Sequence, residues 1–177
     1  SQRQTVVFLD SAGNEMFAGP NIDLRAIFEG GQIDEEIGTS VYEETGHSPS
    51  FLFATAKLKW FKNHRPQAYF RIKTVITIAD WLLFKLSGNL VSEPSLACDS
   101  GLLNVKEKTW ASKLTLNLPF ERLGTPLVAA GNVVSPVTLQ ASKTTGLSTK
   151  TFVVISGADT QCGLLGMGIY SEFDMGI

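Results

Sequence analysis

The sequence predicts an α/β domain, and two observations carry that reading. Short, β-branched apolar runs recur at 5–9, 74–78 and 151–155. Between them lie segments of helical period, several closed by a glycine. Strand and helix patterns interleaved in this way belong to α/β architectures. The chain has 177 residues, of which 44% are hydrophobic. That is enough for a single domain with its own core.

Thr5 to Leu9, the turn cluster Asp10-Ser11-Ala12-Gly13-Asn14, and Met16 to Ala18 read together as a β-hairpin over 5–18, ended by Gly19-Pro20-Asn21. Ile33 to Thr45 reads as a helix with Gly46 as its stop. Phe53 to Asn63 reads as an amphipathic helix, with Leu58 and Phe61 on the apolar side and Lys57, Lys59 and Lys62 between them. Pro66 suits the first turn of a short helix, where its missing N–H costs nothing. Thr74 to Ile78 reads as a strand, and Asp80 to Leu86 as a helix closed by Gly88. Leu102 to Val105 is expected as a strand, Trp110 to Leu116 as a helix, and Val133 to Val137 as a strand. Thr138 is placed to cap a helix that runs to Thr145 and stops at Gly146. Thr151 to Ile155 is expected to be a buried strand, followed by the turn Ser156-Gly157-Ala158-Asp159 and a small-residue helix over Thr160 to Met167.

Composition excludes several classes. Net charge is −2, with Lys and Arg scattered, so no basic stripe suggests a nucleic-acid partner. No apolar run reaches the length of a membrane span, and the reading is a cytoplasmic protein. Cys98 and Cys162 fit no metal spacing and are expected to be core thiols in a reducing compartment. No residue is assigned as a metal ligand. The chain lacks an initiator Met and stops at Asp174-Met175-Gly176-Ile177, which suggests a piece of a longer polypeptide.

Three stretches carry candidate chemistry. In Thr151 to Gly168 a strand delivers a glycine-containing turn, and the turn delivers Asp159 to the start of a helix. Ligands of open α/β sheets bind beyond the carboxyl ends of strands, and a carboxylate there can accept the proton of a hydroxyl that attacks a phosphoryl group. The plainer alternative is that Asp159 caps the helix. Gly157, Gly163, Gly166 and Gly168 could simply allow helix and sheet to pack closely. The order G-x-x-G-x-G is not the dinucleotide fingerprint, and no Walker A sequence occurs, which counts against a Rossmann-like oxidoreductase. In Gly19 to Arg25, the residues Asn21, Asp23 and Arg25 alternate, so an extended segment would point all three one way to bind hydroxyls; a surface loop with Asp23 paired to Arg25 is the alternative. Gln2-Arg3-Gln4, before the first strand, either lines a cleft or is a solvated strand end.

Together these residues resemble the FGGY carbohydrate kinases over nearly the whole chain. Ser1 to Asp10 is similar to the family's Q-R-E strand and hairpin, and Asn21 to Arg25 to its W-x-D-x-R. Lys57 to His64 is similar to the K-x-x-W helix, and Asp80-Trp81-Leu82 through Leu86-Ser87-Gly88 to the D-W/Y-L…L-T/S-G helix. Ser156 to Gln161 is similar to the G-G-D-x-Q turn. The combination of Asn21–Ala26 with Gly157–Gly163 looks closest to the autoinducer-2 kinase branch. Gln4 departs from the acid of Q-R-E, and Asn21 from the Trp of W-x-D-x-R. Pro94 stands where glycerol kinase has a substrate-contacting Tyr, and Ala54 where the helix signature prefers Pro, Ser or Thr.

The resemblance implies an actin-like, ribonuclease-H-like ATPase domain: a single, incomplete N-terminal kinase domain over 1–177. It implies ATP-dependent phosphorylation of a sugar or polyol hydroxyl, with Asp159 as general base and Arg3, Gln4, Asn21, Asp23 and Gln161 as substrate-binding residues. ATP and Mg²⁺ would be held mainly by an Asp-x-Gly-Thr-type hairpin and a second domain, neither of which this sequence contains, so the piece alone is expected to be inactive. A homodimer is admitted as a partner state. A non-catalytic sugar-binding or regulatory module on the same fold is the rival reading.

Overall fold

The computed structural model describes residues 3–111, 124–171 and 173–176. The first strands form a three-stranded antiparallel sheet, β1 (Val6–Leu9), β2 (Glu15–Gly19) and β3 (Thr74–Thr77), with β1 in the middle. Val6 pairs with Gly19 on one side and with Thr77 on the other. β1 is buried on both faces, which is why its sequence is an uninterrupted apolar run rather than an alternating one. Val6 and Phe8 pack into a core with Ile33, Ala54, Leu58 and Phe61, whereas Val7 and Leu9 pack with Ile76 against Trp81 and Phe84. The hairpin turn is held by Asp10 Oδ1, which accepts the N–H groups of Ala12 at 2.9 Å and Asn14 at 3.0 Å.

After β2 the chain makes a turn and a short 3₁₀ segment, Leu24–Ala26, then α1 (Ile27–Thr45), α2 (Ala54–His64) and α3 (Pro66–Arg71). α1 starts six residues before the sequence places it. Gly30-Gly31 weakens the helical signal there, but a side chain at Gly30 would meet the Phe51 backbone: an added Cβ would lie 2.6 Å from its nitrogen. Close passage of the 50–51 segment therefore selects glycine inside the helix. Lys57 also departs from its expected place between the apolar residues. It is fully buried and donates to the carbonyls of Phe51 and Leu52, both at 2.9 Å. Burial pulls its ammonium pKa down to about 8.

α4 (Ile78–Ser87) follows β3 directly through a capping box, in which Thr77 accepts from the Asp80 N–H and Asp80 accepts from the Thr77 backbone. α5 (Pro94–Cys98) is one turn long. β4 (Leu103–Asn104) and β5 (Thr109–Trp110) form a small ribbon. Trp110 is thus a strand residue whose indole N–H donates to the Thr125 carbonyl at 2.7 Å; the remainder of the helix expected over 110–116 falls, after Ala111, outside the described residues. β6 (Val133–Pro136), α6 (Leu139–Thr145), β7 (Phe152–Val154) and α7 (Asp159–Gly166) complete the described elements. Thr138 caps α6 by accepting the Ala141 N–H, and Gly46, Gly88 and Gly146 end α1, α4 and α6 at positive φ, as the sequence leads one to expect.

β7 is not the buried strand expected. Val153 packs against Leu83, Val137 and Ala141, but Phe152 is 62% exposed and Val154 49% exposed. α7 buries none of its residues among those described, and an added Cβ at Gly163 or Gly166 would meet no described residue within 4 Å. Among the described residues, close helix–sheet packing does not account for those two glycines. Cys162 is exposed rather than in the core, Cys98 is partly buried, and both are free thiols.

Asp80 is 2% exposed, and its Oδ2 accepts from the Thr77 hydroxyl at 2.8 Å. Burial pushes its pKa up to about 6, against hydrogen bonds from Thr77, Ser92 and the Glu93 backbone that favour the ion. An acid whose pKa is raised by folding holds its proton more tightly in the native state, so its contribution to stability grows as pH falls through about 6 toward the unfolded value. Urea unfolding of the parent chain and of Asp80→Asn should therefore diverge on acidification. The stability difference, parent minus mutant, is expected to be larger at pH 4 than at pH 7 by about 2 kcal/mol; the same difference at both pH values would contradict a raised Asp80.

Candidate active site

One end of the first sheet gathers Arg3, Gln4, Asn21 and Asp23. Val6 pairs with both Gly19 and Thr77, so 3–5, 20–25 and the start of α4 all leave from that end. The Ile78 N–H closes it by donating to the Thr5 carbonyl at 3.1 Å.

Arg3 lies in the turn ahead of β1. Its guanidinium grips Asp99 with two bonds, Nε to Oδ2 at 2.7 Å and an Nη to Oδ1 at 3.0 Å. Asp99 is 3% exposed and forms the C-cap of α5. The bond to Asp99 raises the Arg3 pKa, and the nearby negative charge of Asp159 adds to the effect. Arg3 and Asp159 therefore lie within electrostatic reach of one another. Gln4 takes a left-handed conformation, φ 57°, which turns the chain into β1.

Asp159 is the first residue of α7, and Ala158, without a capping side chain, is the N-cap. Asp159 therefore sits in the first turn rather than at the N-cap, where it still serves one of the free N–H groups of the helix start. Its Oδ1 accepts from the Thr160 N–H at 2.8 Å and the Thr160 hydroxyl at 3.3 Å. Among the described residues Oδ2 accepts no hydrogen bond, and the side chain is exposed. Gln161 is also exposed, but residues two apart on a helix do not face each other, so it is directed away from Asp159. An apolar cavity of about 380 Å³ lies behind the turn, walled by Leu82, Leu83, Leu86, Leu96, Val153 and Gly157 among others; Asp159 is not part of its wall.

The segment 21–25 is not extended. A turn closed by the Asp23 N–H to the Pro20 carbonyl, 3.2 Å, leads into the 3₁₀ segment that Asp23 caps. The alternating geometry that would align Asn21, Asp23 and Arg25 is therefore absent. Asp23 instead accepts from Arg25 Nε at 2.7 Å, and the guanidinium lies 4.4 Å above the Phe17 ring and 5.0 Å from that of Trp60. Lys57 is close enough for the charge of Asp23 to act on its pKa. The structure thus forms two ion pairs, Arg3–Asp99 and Arg25–Asp23, with the charge of Asp159 acting on the first and Lys57 feeling the second.

Sequence reasoning missed Asp99, Glu93 and Ser95. For the last two a signal was present, since Glu93 before Pro94 is an N-cap followed by proline at the first helical position. Asp99 carries no local signature.

The FGGY family of carbohydrate kinases, N-terminal domain, matches residues 1–166. An autoinducer-2 kinase of Salmonella choleraesuis (strain SC-B67) is 32% identical over 174 residues, covering 96% of this chain and 33% of that protein. The protein YoaC of Bacillus subtilis (strain 168) is 34% identical over 170 residues, covering 95% of this chain and 34% of that protein. Among solved structures, a xylulose kinase from Lactobacillus acidophilus superposes with a TM-score of 0.85 at 22% identity, covering 95% of this chain and 35% of that one; this likeness speaks for the fold. The chain spans about a third of the length of the curated relatives it matches. It belongs to the FGGY family of carbohydrate kinases and has the actin-like, ribonuclease-H-like fold of that family's N-terminal domain.

Proposed function

We propose that this chain is the acceptor side of an ATP-dependent carbohydrate kinase, a single domain over 1–177 that works within a longer protein. The observation that carries the reading is the exposed Asp159 at the start of α7, with one carboxylate oxygen held by Thr160 and the other accepting no bond among the described residues. Such an oxygen is placed to take the proton of an incoming hydroxyl. The alcohol oxygen then bonds to the γ-phosphorus of ATP, the bond from that phosphorus to the β–γ bridging oxygen breaks, and ADP leaves. The proton passes from Asp159 to solvent.

Arg3, fixed by Asp99, donates to a hydroxyl of the sugar or polyol and keeps positive charge near the reacting centre. Gln4, Asn21, Asp23 and Gln161 are proposed to contribute to acceptor recognition. Asp23 and Arg25 compensate each other's charge, so that end of the site offers hydroxyl-binding groups with little net charge.

Mg²⁺ accompanying the nucleotide would supply neutralisation of charge on the phosphates. Among the described residues no three metal-ligating side chains come together. The nucleotide is proposed to be held mainly by parts of the longer protein, whose closure over Asp159 would exclude water. No helix among the described residues is long and apolar enough to cross a membrane; a cytoplasmic location and assembly as a homodimer belong to this proposal.

Two variants of the full-length protein test it. Asp159→Asn should lower kcat for sugar phosphorylation by about 10²-fold or more with an unchanged thermal transition; near-parent turnover would remove Asp159 from the role of base. Asp99→Ala, which removes both acceptor oxygens, frees Arg3 and should raise KM for the acceptor about ten-fold while changing kcat less; an unchanged KM would remove Arg3 from acceptor binding.

A further inference from the structure

α5 is only one turn long, yet both of its ends reach the candidate site. Asp99, its C-cap, holds Arg3. At the other end Glu93, 6% exposed, is the N-cap and accepts the Leu96 N–H at 3.1 Å. The same oxygen, Oε2, accepts the hydroxyl of Ser95 in a short hydrogen bond. Ser95 Oγ in turn accepts the N–H of Ala158 at 2.9 Å, across 63 residues of sequence. Approach at this point is close, since an added Cβ on Gly157 would lie 3.4 Å from Ser95 Oγ.

The direction of this relay is fixed by chemistry. A backbone N–H only donates, so Ser95 Oγ is the acceptor for Ala158. The single proton of the serine hydroxyl is then directed to Glu93 Oε2, to which it donates. Ala158 is 1% exposed, so its N–H has no ready replacement in solvent and losing the acceptor would leave a buried donor unpaired. Ala158 is the N-cap of α7 and lacks a side-chain cap of its own. Ser95 thus pins the residue directly before Asp159 from outside the helix.

We infer that Ser95, oriented by Glu93, is a positioning residue for the Asp159 carboxylate, and that α5 sets the spacing between that carboxylate and Arg3. The inference rests on the reading of Asp159 as the base. Misplacing a reacting group by an ångström is enough to cost large factors in rate, whereas acceptor binding through Arg3 would be preserved.

The test pairs kinetics of the full-length protein with amide hydrogen exchange at Ala158. Ser95→Ala should speed Ala158 exchange at least about ten-fold and lower kcat about ten-fold or more, with acceptor KM within about three-fold of the parent. Ser95→Thr, which keeps the hydroxyl, should restore most of both. If Ser95→Ala does not fold, Ser95→Cys, similar in size and a weaker acceptor, is judged by the same criteria. Asp159→Asn with parent-like kcat would defeat the base reading itself. An inactive Asp159→Asn beside a Ser95→Ala with parent-like kcat and a protected Ala158 amide would overturn the positioning role alone.

Discussion

Three carboxylates lie below the surface between residues 80 and 99, and the need to satisfy them organises the molecule. Asp80, Glu93 and Asp99 are each less than a tenth exposed. A buried acid without partners is costly enough that the fold must supply them. Asp80 draws in Thr77, Ser92 and the Glu93 backbone, joining β3 to the segment before α5. Ser92 extends that network by accepting the Thr125 hydroxyl at 2.8 Å. Glu93 reaches the turn before α7 through Ser95, and Asp99 reaches the turn before β1 through Arg3. Segments far apart in sequence are thus tied to one short stretch by polar contacts that have specific partners and directions.

The apolar part of the structure serves the same end differently. β1 is covered on both faces, one side by α1 and α2 and the other by α4. That makes the sheet a rigid floor, and its common end is where Arg3, the 20–25 turn and the start of α4 emerge. The Asp23–Arg25 pair, set between Phe17 and Trp60, keeps its charges only partly exposed. Apolar packing thus places the elements, and buried carboxylates fix the angles at which their ends present side chains.

Much of this was legible in the sequence, for reasons that are local. The runs at 5–9 and 74–78, the glycine stops at 46, 88 and 146, and the cap at Thr138 are signals carried by neighbouring residues, and all appear as elements. The motifs in order also identified the family. What was not legible depends on contacts remote in sequence. The Gly30-Gly31 pair hid the start of α1 because its reason is the passage of Phe51. Lys57 looked like a surface residue of an amphipathic helix, but the carbonyls of Phe51 and Leu52 take it inside. Asn21 to Arg25 alternates as a strand would, while local capping by Asp23 folds it into a turn. Asp99 could not be found because its partner is 96 residues away.

The bare faces of β7 and α7 have a practical meaning. Phe152, Val154, Leu165 and Met167 are all about half exposed or more, on an open two-stranded ribbon and the helix after it. Unpaired strand edges and contiguous apolar surface invite other chains. Handled on its own at high concentration, the polypeptide should be adhesive, so heats recorded on adding a sugar will mix ligand uptake with the breaking of chance aggregates. Dilution series and light scattering belong beside any such titration.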